Sequence, residues 1–206
     1  MRRCISLHIY LIHGFASAPK YPSDKAEVLA RVFRMPVQQL AYDSGASFED
    51  NLAELKRQVQ APPLFFVGTS LGAFYASKLA ELFYDEHASL PIMLNPCHYP
   101  AMMLKASVGT HTNFATGEDF CLREEVLHSY HGVPLIDEAK VMPRWILLNM
   151  DDALIDAKNT QALYQDKLEV ISFETGGHRF ENIGSDEVIS ALERINNSYF
   201  IYGCCG

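Results

Sequence analysis

Five residues, Gly68-Thr69-Ser70-Leu71-Gly72, constrain this chain more than any other stretch. They follow the apolar run Leu64-Phe65-Phe66-Val67 and open a helical pattern from Ala73 to Ala80. A strand, then G-x-S-x-G, then a helix is the setting of a nucleophile elbow. The backbone turns so sharply at the serine that its neighbours must be tiny. A glycine two residues before and another two after give that clearance. The strained turn pushes the hydroxyl out of the sheet edge, where a base can reach it. G-x-S-x-G alone recurs by chance, so its partners decide what it means.

Those partners should follow in chain order, an acid and then a histidine. The run Trp145-Ile146-Leu147-Leu148-Asn149 reads as a strand and leads into Met150-Asp151-Asp152-Ala153-Leu154-Ile155-Asp156. A carboxylate on such a loop can hold a histidine in one tautomer and stabilise its imidazolium. Three aspartates, Asp151, Asp152 and Asp156, are available for this. A second run, Leu168 to Phe173, precedes Gly176-Gly177-His178. A histidine on a glycine-rich loop after the last strand can swing over the serine. Ser70, an aspartate and His178 therefore stand in the expected order.

An oxyanion hole needs two backbone N–H groups. Leu71, the residue after the nucleophile, supplies one. Phe15 in His13-Gly14-Phe15, after the apolar run Ile5 to Ile12, supplies the other. Gly14 allows close approach. The expected task of His13 is to hold this loop by hydrogen bonding.

A chain of 206 residues is long enough for one domain with a full core. Its net charge of −8 argues against nucleic acid or an anionic membrane surface as main partner. No apolar stretch approaches the roughly 20 residues that span a bilayer. Arg2-Arg3, a short apolar run and Ala16-Ser17-Ala18 superficially resemble a secretory leader. The run is short, interrupted by His8, and doubles as the first strand, so a cytoplasmic location is expected. Five cysteines (Cys4, Cys97, Cys121, Cys204 and Cys205) form no disulfide framework and suit a reducing compartment. No metal-ligand spacing is visible. His98, His111, His128 and His131 match no tight metal motif and read as surface residues, so no metal is expected.

Strands are expected near 5–12, 37–41, 64–68, 91–95, 145–149 and 168–173. Helices are expected from Ser23, from Ser47 (with Asp50 as a capping-box variant), over about 71–87, near 158–167 and from Ser185. Alternating strands and helices predict a mostly parallel six-stranded sheet with helices on both faces. One connection, Pro96 to Pro143, is unusually long. The chain therefore reads as a single domain over 1–206 with a lid-like insertion over about 97–143. Tyr99, Met102, Met103, Leu104, Phe114, Phe120, Leu127 and Tyr130 in it either line an acyl or alcohol pocket or pack onto the sheet, with most expected to pack.

These blocks resemble the small bacterial esterases of the YqiA/YcfP family (UPF0227), within the α/β-hydrolase superfamily. The resemblance covers most of the chain. It rests on Tyr10 to Ser17, Val67 to Ala76, Leu94-Asn95-Pro96, Thr116-Gly117-Glu118, Asp151 to Asp156 and Gly176-Gly177-His178-Arg179-Phe180. It implies a compact α/β-hydrolase fold and activity on short acyl esters or thioesters, without a cofactor. It also implies Asp152 as the acid, with Asp156 the runner-up and Asp151 a turn residue. Two departures are Asp151, where relatives often carry glycine, and Ala73, where glycine is common.

The expected function is therefore a serine esterase acting on a small-molecule ester through Ser70, Asp152 and His178. Phe15 and Leu71 form its oxyanion hole, and an acyl-enzyme is its intermediate. Alternatives are a thioesterase or acyltransferase on the same triad, or a non-catalytic ligand-binding protein of the same fold.

Overall fold

The computed structural model describes residues 7–203. Arg2, Arg3, Cys4, Cys204, Cys205 and the first two residues of the strand expected at 5–12 lie outside the described residues. Seven helices and eight strands are described, together with two short 3-10 turns. The order begins β1 (His8–Ile12), α1 (Asp24–Phe33), β2 (Val37–Leu40), α2 (Phe48–Gln58), β3 (Pro63–Thr69), α3 (Leu71–His87), β4 (Leu90–Leu94). The connection to the next sheet strand holds α4 (Pro100–Met103), the antiparallel hairpin β5 (Gly109–Thr112) and β6 (Asp119–Leu122), and α5 (Glu124–His128). It closes with β7 (Trp145–Asn149), α6 (Ala157–Tyr164), β8 (Glu169–Phe173) and α7 (Asp186–Gly203).

Six strands form one sheet in the order β2-β1-β3-β4-β7-β8, every neighbouring pair parallel. Helix α1 packs with α7, and α2 packs with α3, so the two pairs cover opposite faces. All seven residues of β3 and all five of β4 and β7 are buried, as a parallel sheet covered on both faces requires. The chain turns to one side from β1 to β2, then crosses back to β3. That reversal opens a crevice beyond the carboxyl ends of β1 and β3, where ligands bind in sheets of this kind.

Local signals set the helix ends. Ser23 caps α1 through the Ala26 N–H, and Ser47 Oγ accepts from the Asp50 N–H at 3.2 Å. The Asp50 carboxylate receives the Ser47 hydroxyl at 2.8 Å rather than the backbone N–H of a full capping box. Helix α3 spans the expected 71–87, and its first eleven residues are buried. An ion-paired group sits on it: Glu81 receives Lys78 Nζ at 2.6 Å and the Asp137 N–H at 2.7 Å. Arg144 reaches the same carboxylate at 3.5 Å, which pins the end of the long connection to α3.

The connection carries more structure than its sequence announces. Leu127 and Tyr130 are buried, Met103, Leu104 and Phe120 are half-buried, and Tyr99, Met102 and Phe114 are exposed. The surface reading of His98 does not hold. It is 3% exposed, beside Thr160 and edge-on to the Tyr99 and Tyr164 rings. Its position four residues past β4 carries it under α6, and burial holds its imidazole below the ordinary histidine value. His128 and His131 are exposed, and His111 is half-buried against Phe15 and Phe120.

Candidate active site

Ser70 is the hinge between β3 and α3. Its backbone adopts φ 57° and ψ −121°, a conformation that L residues rarely hold without support. The support is dense. The Ser70 N–H donates to the Leu94 carbonyl at 3.0 Å. Its own carbonyl accepts from Ala73, Phe74 and Cys97 at 3.0–3.3 Å. A Cβ on Gly68 would fall 2.1 Å from the Gly72 carbonyl oxygen, and one on Gly72 would fall 2.2 Å from that of His13. Both glycines are required because backbone occupies the space, which is the clearance an elbow needs. Ser70 Oγ makes no hydrogen bond among the described residues. Apo sites often leave such contacts to tighten around substrate.

The loop after β1 lies against this elbow. A Cβ on Gly14 would meet the Thr69 carbonyl at 3.3 Å and Ser70 Cβ at 3.5 Å. The N–H groups of Phe15 and Leu71 find no acceptor among the described residues, so both remain available for a ligand. His13 organises the loop. Its ring stacks on Tyr42 at 4.4 Å, the Tyr42 N–H donates to Nε2 at 3.3 Å, and Nδ1 lies 2.9 Å from the Gly14 carbonyl. An accepting Nε2 assigns the proton to Nδ1, which then donates to Gly14. Burial, partly offset by that bond, pushes the His13 pKa down to about 4, so the ring is neutral at ordinary pH. Ser44 Oγ accepts the Ala16 N–H at 2.9 Å and fixes the far side of the loop.

His178 and Asp152 meet directly. His178 Nδ1 lies 2.8 Å from Asp152 Oδ2 and 3.1 Å from Oδ1. The Asp152 side chain is fully buried, and His178 is 20% exposed. Burial opposes ionisation of Asp152. The His178 bond and the N–H groups of Ile155 and Leu154 outweigh it, so its pKa lies below the usual carboxylate value. Asp156 is elsewhere: it caps α6 by accepting the Asn159 N–H at 3.0 Å. Asp151 does more than turn the chain, since its carboxylate accepts the N–H groups of Gly176 and Gly177 at 3.2 and 2.9 Å.

Three asparagines complete the frame. Asn95, fully buried at φ 44°, donates Nδ2 to the carbonyls of Gly177 and His178 at 2.9 and 3.2 Å. Its Oδ1 accepts the Asn149 N–H at 2.8 Å. Asn149 Nδ2 reaches the Gly177 carbonyl and exchanges amide bonds with Asn182. In the sequence Asn95 stands out only within the block Leu94-Asn95-Pro96, and nothing marks a role for Asn149 or Asn182. Asparagines at the ends of two neighbouring apolar strands were the available signal.

Cys97, whose N–H binds Ser70, is buried, and its thiol is pushed up to about 12 by burial. It is therefore no rival nucleophile. No group of three or more His, Cys, Asp or Glu among the described residues is arranged to hold a metal ion. A groove of about 660 Å³ between α4 and residues 130–134 includes none of Ser70, Asp152 or His178 in its wall. No helix among the described residues is long and apolar enough to cross a membrane.

Comparison with known proteins agrees with this architecture. The model of the uncharacterised protein family UPF0227 matches residues 7–193. Est1E from Butyrivibrio proteoclasticus superposes with a TM-score of 0.72 at 11% identity, over 95% of this chain and 89% of that one. The mouse alpha/beta hydrolase domain-containing protein 10 gives 0.67 at 13% identity, over 95% and 90%. The esterase domain of a Rhodothermus marinus protein gives 0.62 at 19% identity, over 94% and 86%. At these identities the likeness establishes the α/β-hydrolase fold.

Proposed function

This chain belongs to the UPF0227 family, and from that premise we propose that it is a serine esterase acting on small carboxylic esters. Ser70 is the nucleophile, His178 the base and Asp152 the acid that orients it. The observation that carries this reading is the 2.8 Å bond from His178 to a buried Asp152, on a loop tied to the end of β4 beside the Ser70 elbow. The esterases among the fold neighbours support hydrolysis as the reaction class.

His178 takes the Ser70 proton as Oγ attacks the ester carbonyl. The tetrahedral oxyanion is held by the N–H groups of Phe15 and Leu71. Removing one such donor typically costs on the order of 10²–10³ in rate. Asp152 keeps the proton of neutral His178 on Nδ1 and stabilises the imidazolium that forms. His178 then protonates the departing alkoxide, and water cleaves the acyl-enzyme by the same route. The segment 97–143 acts as the lid of a single domain, and the protein works in the cytoplasm without a cofactor.

The test is labelling with a fluorophosphonate and mass mapping of the adduct, beside turnover of nitrophenyl acetate and butyrate. An adduct on Ser70, lost together with turnover in Ser70→Ala, is the expected result. A folded protein that takes no label and turns over no ester removes the assignment.

A further inference from the structure

Arg179 lies between two residues that the fold locks. His178 before it gives its carbonyl to Asn95 and its ring to Asp152. Phe180 after it is fully buried, at φ 57°, edge-on to Phe173. The Arg179 carbonyl accepts Lys25 Nζ at 2.6 Å. The backbone is thus held on three sides, while the side chain is exposed.

The guanidinium rests over the ring of Phe114, with Cζ 5.5 Å from its centroid. Phe114 caps the β5–β6 hairpin and is 76% exposed. Its N–H donates to the Ala16 carbonyl at 2.8 Å, one residue past Phe15, and Asn113 Nδ2 holds the Ser17 carbonyl at 2.9 Å. Arg179 therefore bridges the histidine loop and the hairpin that is tied to the Phe15 loop. That is the mouth of the site.

Among the described residues the guanidinium has no carboxylate partner and makes no hydrogen bond. In a chain with 25 acidic and 17 basic side chains, a free arginine beside the base calls for a reason. Lys20 and Lys25 add positive charge nearby, and Asp24 and Glu181 act on Lys25. A guanidinium backed by an aromatic face keeps its edges free for a planar, two-bond contact with a carboxylate.

We propose that Arg179 anchors a carboxylate on the leaving group of the substrate, with Phe114 as its backing surface. This rests on the esterase reading above. The leaving oxygen must lie on the His178 side of the scissile bond, because His178 gives it its proton. Arg179 shares the loop of His178, and Phe114 holds its guanidinium at the mouth of the site, which is the basis for placing the carboxylate on the leaving group. The chemical class is then an ester of an alcohol or phenol that carries a carboxylate.

The test compares 4-acetoxybenzoate with its neutral methyl ester, in the intact protein and in Arg179→Gln, Arg179→Lys and Leu82→Gln. Leu82 is 50% exposed, toward the end of α3 far from Ser70 and outside the segment 97–143, so it serves as the control. The ratio of kcat/KM, anionic over neutral, should fall about tenfold in Arg179→Gln, as loss of one charge-assisted contact implies. The change should sit in KM, be partly rescued in Arg179→Lys, and be absent in Leu82→Gln. An unchanged ratio in Arg179→Gln overturns the proposal, even if both esters are turned over. A second measurement does not need turnover. Ser70→Ala should bind 4-hydroxybenzoate in calorimetry, and Ser70→Ala with Arg179→Gln should bind it about tenfold more weakly. Equal binding by the two proteins overturns the anchor, whereas a failure of the esterase reading alone leaves that difference intact.

Discussion

Gly72 and the His13 carbonyl are in such close approach that a single methyl group between them would overlap backbone, with the Cβ only 2.2 Å from the oxygen. The first helical turn after Ser70 is thereby wedged against the loop that carries Phe15. The elbow serine and the N–H groups proposed as oxyanion donors are set by one contact between two backbone segments, so a shift of either moves the other.

Gly72→Ala should therefore damage stability and chemistry together. Overpacking of this kind typically costs about 1–3 kcal/mol. Urea unfolding should show a loss in that range, and fluorophosphonate labelling of the folded fraction should slow by at least about tenfold if one oxyanion donor is displaced. Wild-type stability in Gly72→Ala would contradict the wedge.

Asp152 and Asp156 separate by substitution. Asp152→Asn should lower kcat by on the order of 10⁴, because the amide favours the wrong His178 tautomer. Asp156→Ala should cost about 1 kcal/mol of stability through loss of the α6 cap, and kcat should stay within a few-fold of wild type. Steady-state kinetics and thermal melts on both variants check this, and the reverse pattern would exchange their roles.

Asn95 is a positioning residue. Asn95→Asp keeps the acceptor for the Asn149 N–H but turns a carboxylate oxygen toward the carbonyls of Gly177 and His178. Losing a buried donor to two acceptors costs roughly 1–3 kcal/mol. The displaced histidine loop should lower kcat more than it raises KM. A rise in KM alone would place Asn95 outside the catalytic frame.

His13 gives the fold a pH-dependent term. Its folded pKa is about 4, below its ordinary value of 6.5. Between these values the unfolded chain takes up a proton that the folded chain refuses, so stability falls as pH drops from 6.5 to 4. The full loss is about 3 kcal/mol. Asp152 acts in the same direction at lower pH. Its depressed pKa adds stability present above the ordinary carboxylate value, which is lost as pH falls through its folded pKa. Denaturant midpoints measured from pH 7 to 4 should decline, and His13→Gln should flatten that decline. An equal slope in both proteins would remove His13 as the cause.

The six sheet strands and the elbow helix were legible because parallel strands buried on both faces read as apolar runs, and α3 follows the elbow serine directly. The triad candidates were legible because their chain order is part of the motif. The hairpin β5–β6 was not. Gly109–Thr112 and Asp119–Leu122 are half polar, and their pairing depends on packing against Phe15. His98 was misread for a related reason: a polar residue in a loop gives no sign that α6 will cover it.

The sequence by itself determined the doubly covered parallel sheet, the elbow, and the order of Ser70, an aspartate and His178. Period, run length and glycine spacing are local properties of the chain. Only the tertiary structure decided which aspartate meets His178, since Asp151, Asp152 and Asp156 share one loop and differ in where its turns aim them. It also decided that three asparagines from separate elements hold the histidine loop, and that Arg179 lies over Phe114. Those contacts join residues far apart in the chain, and they exist only once the sheet has set its strand order.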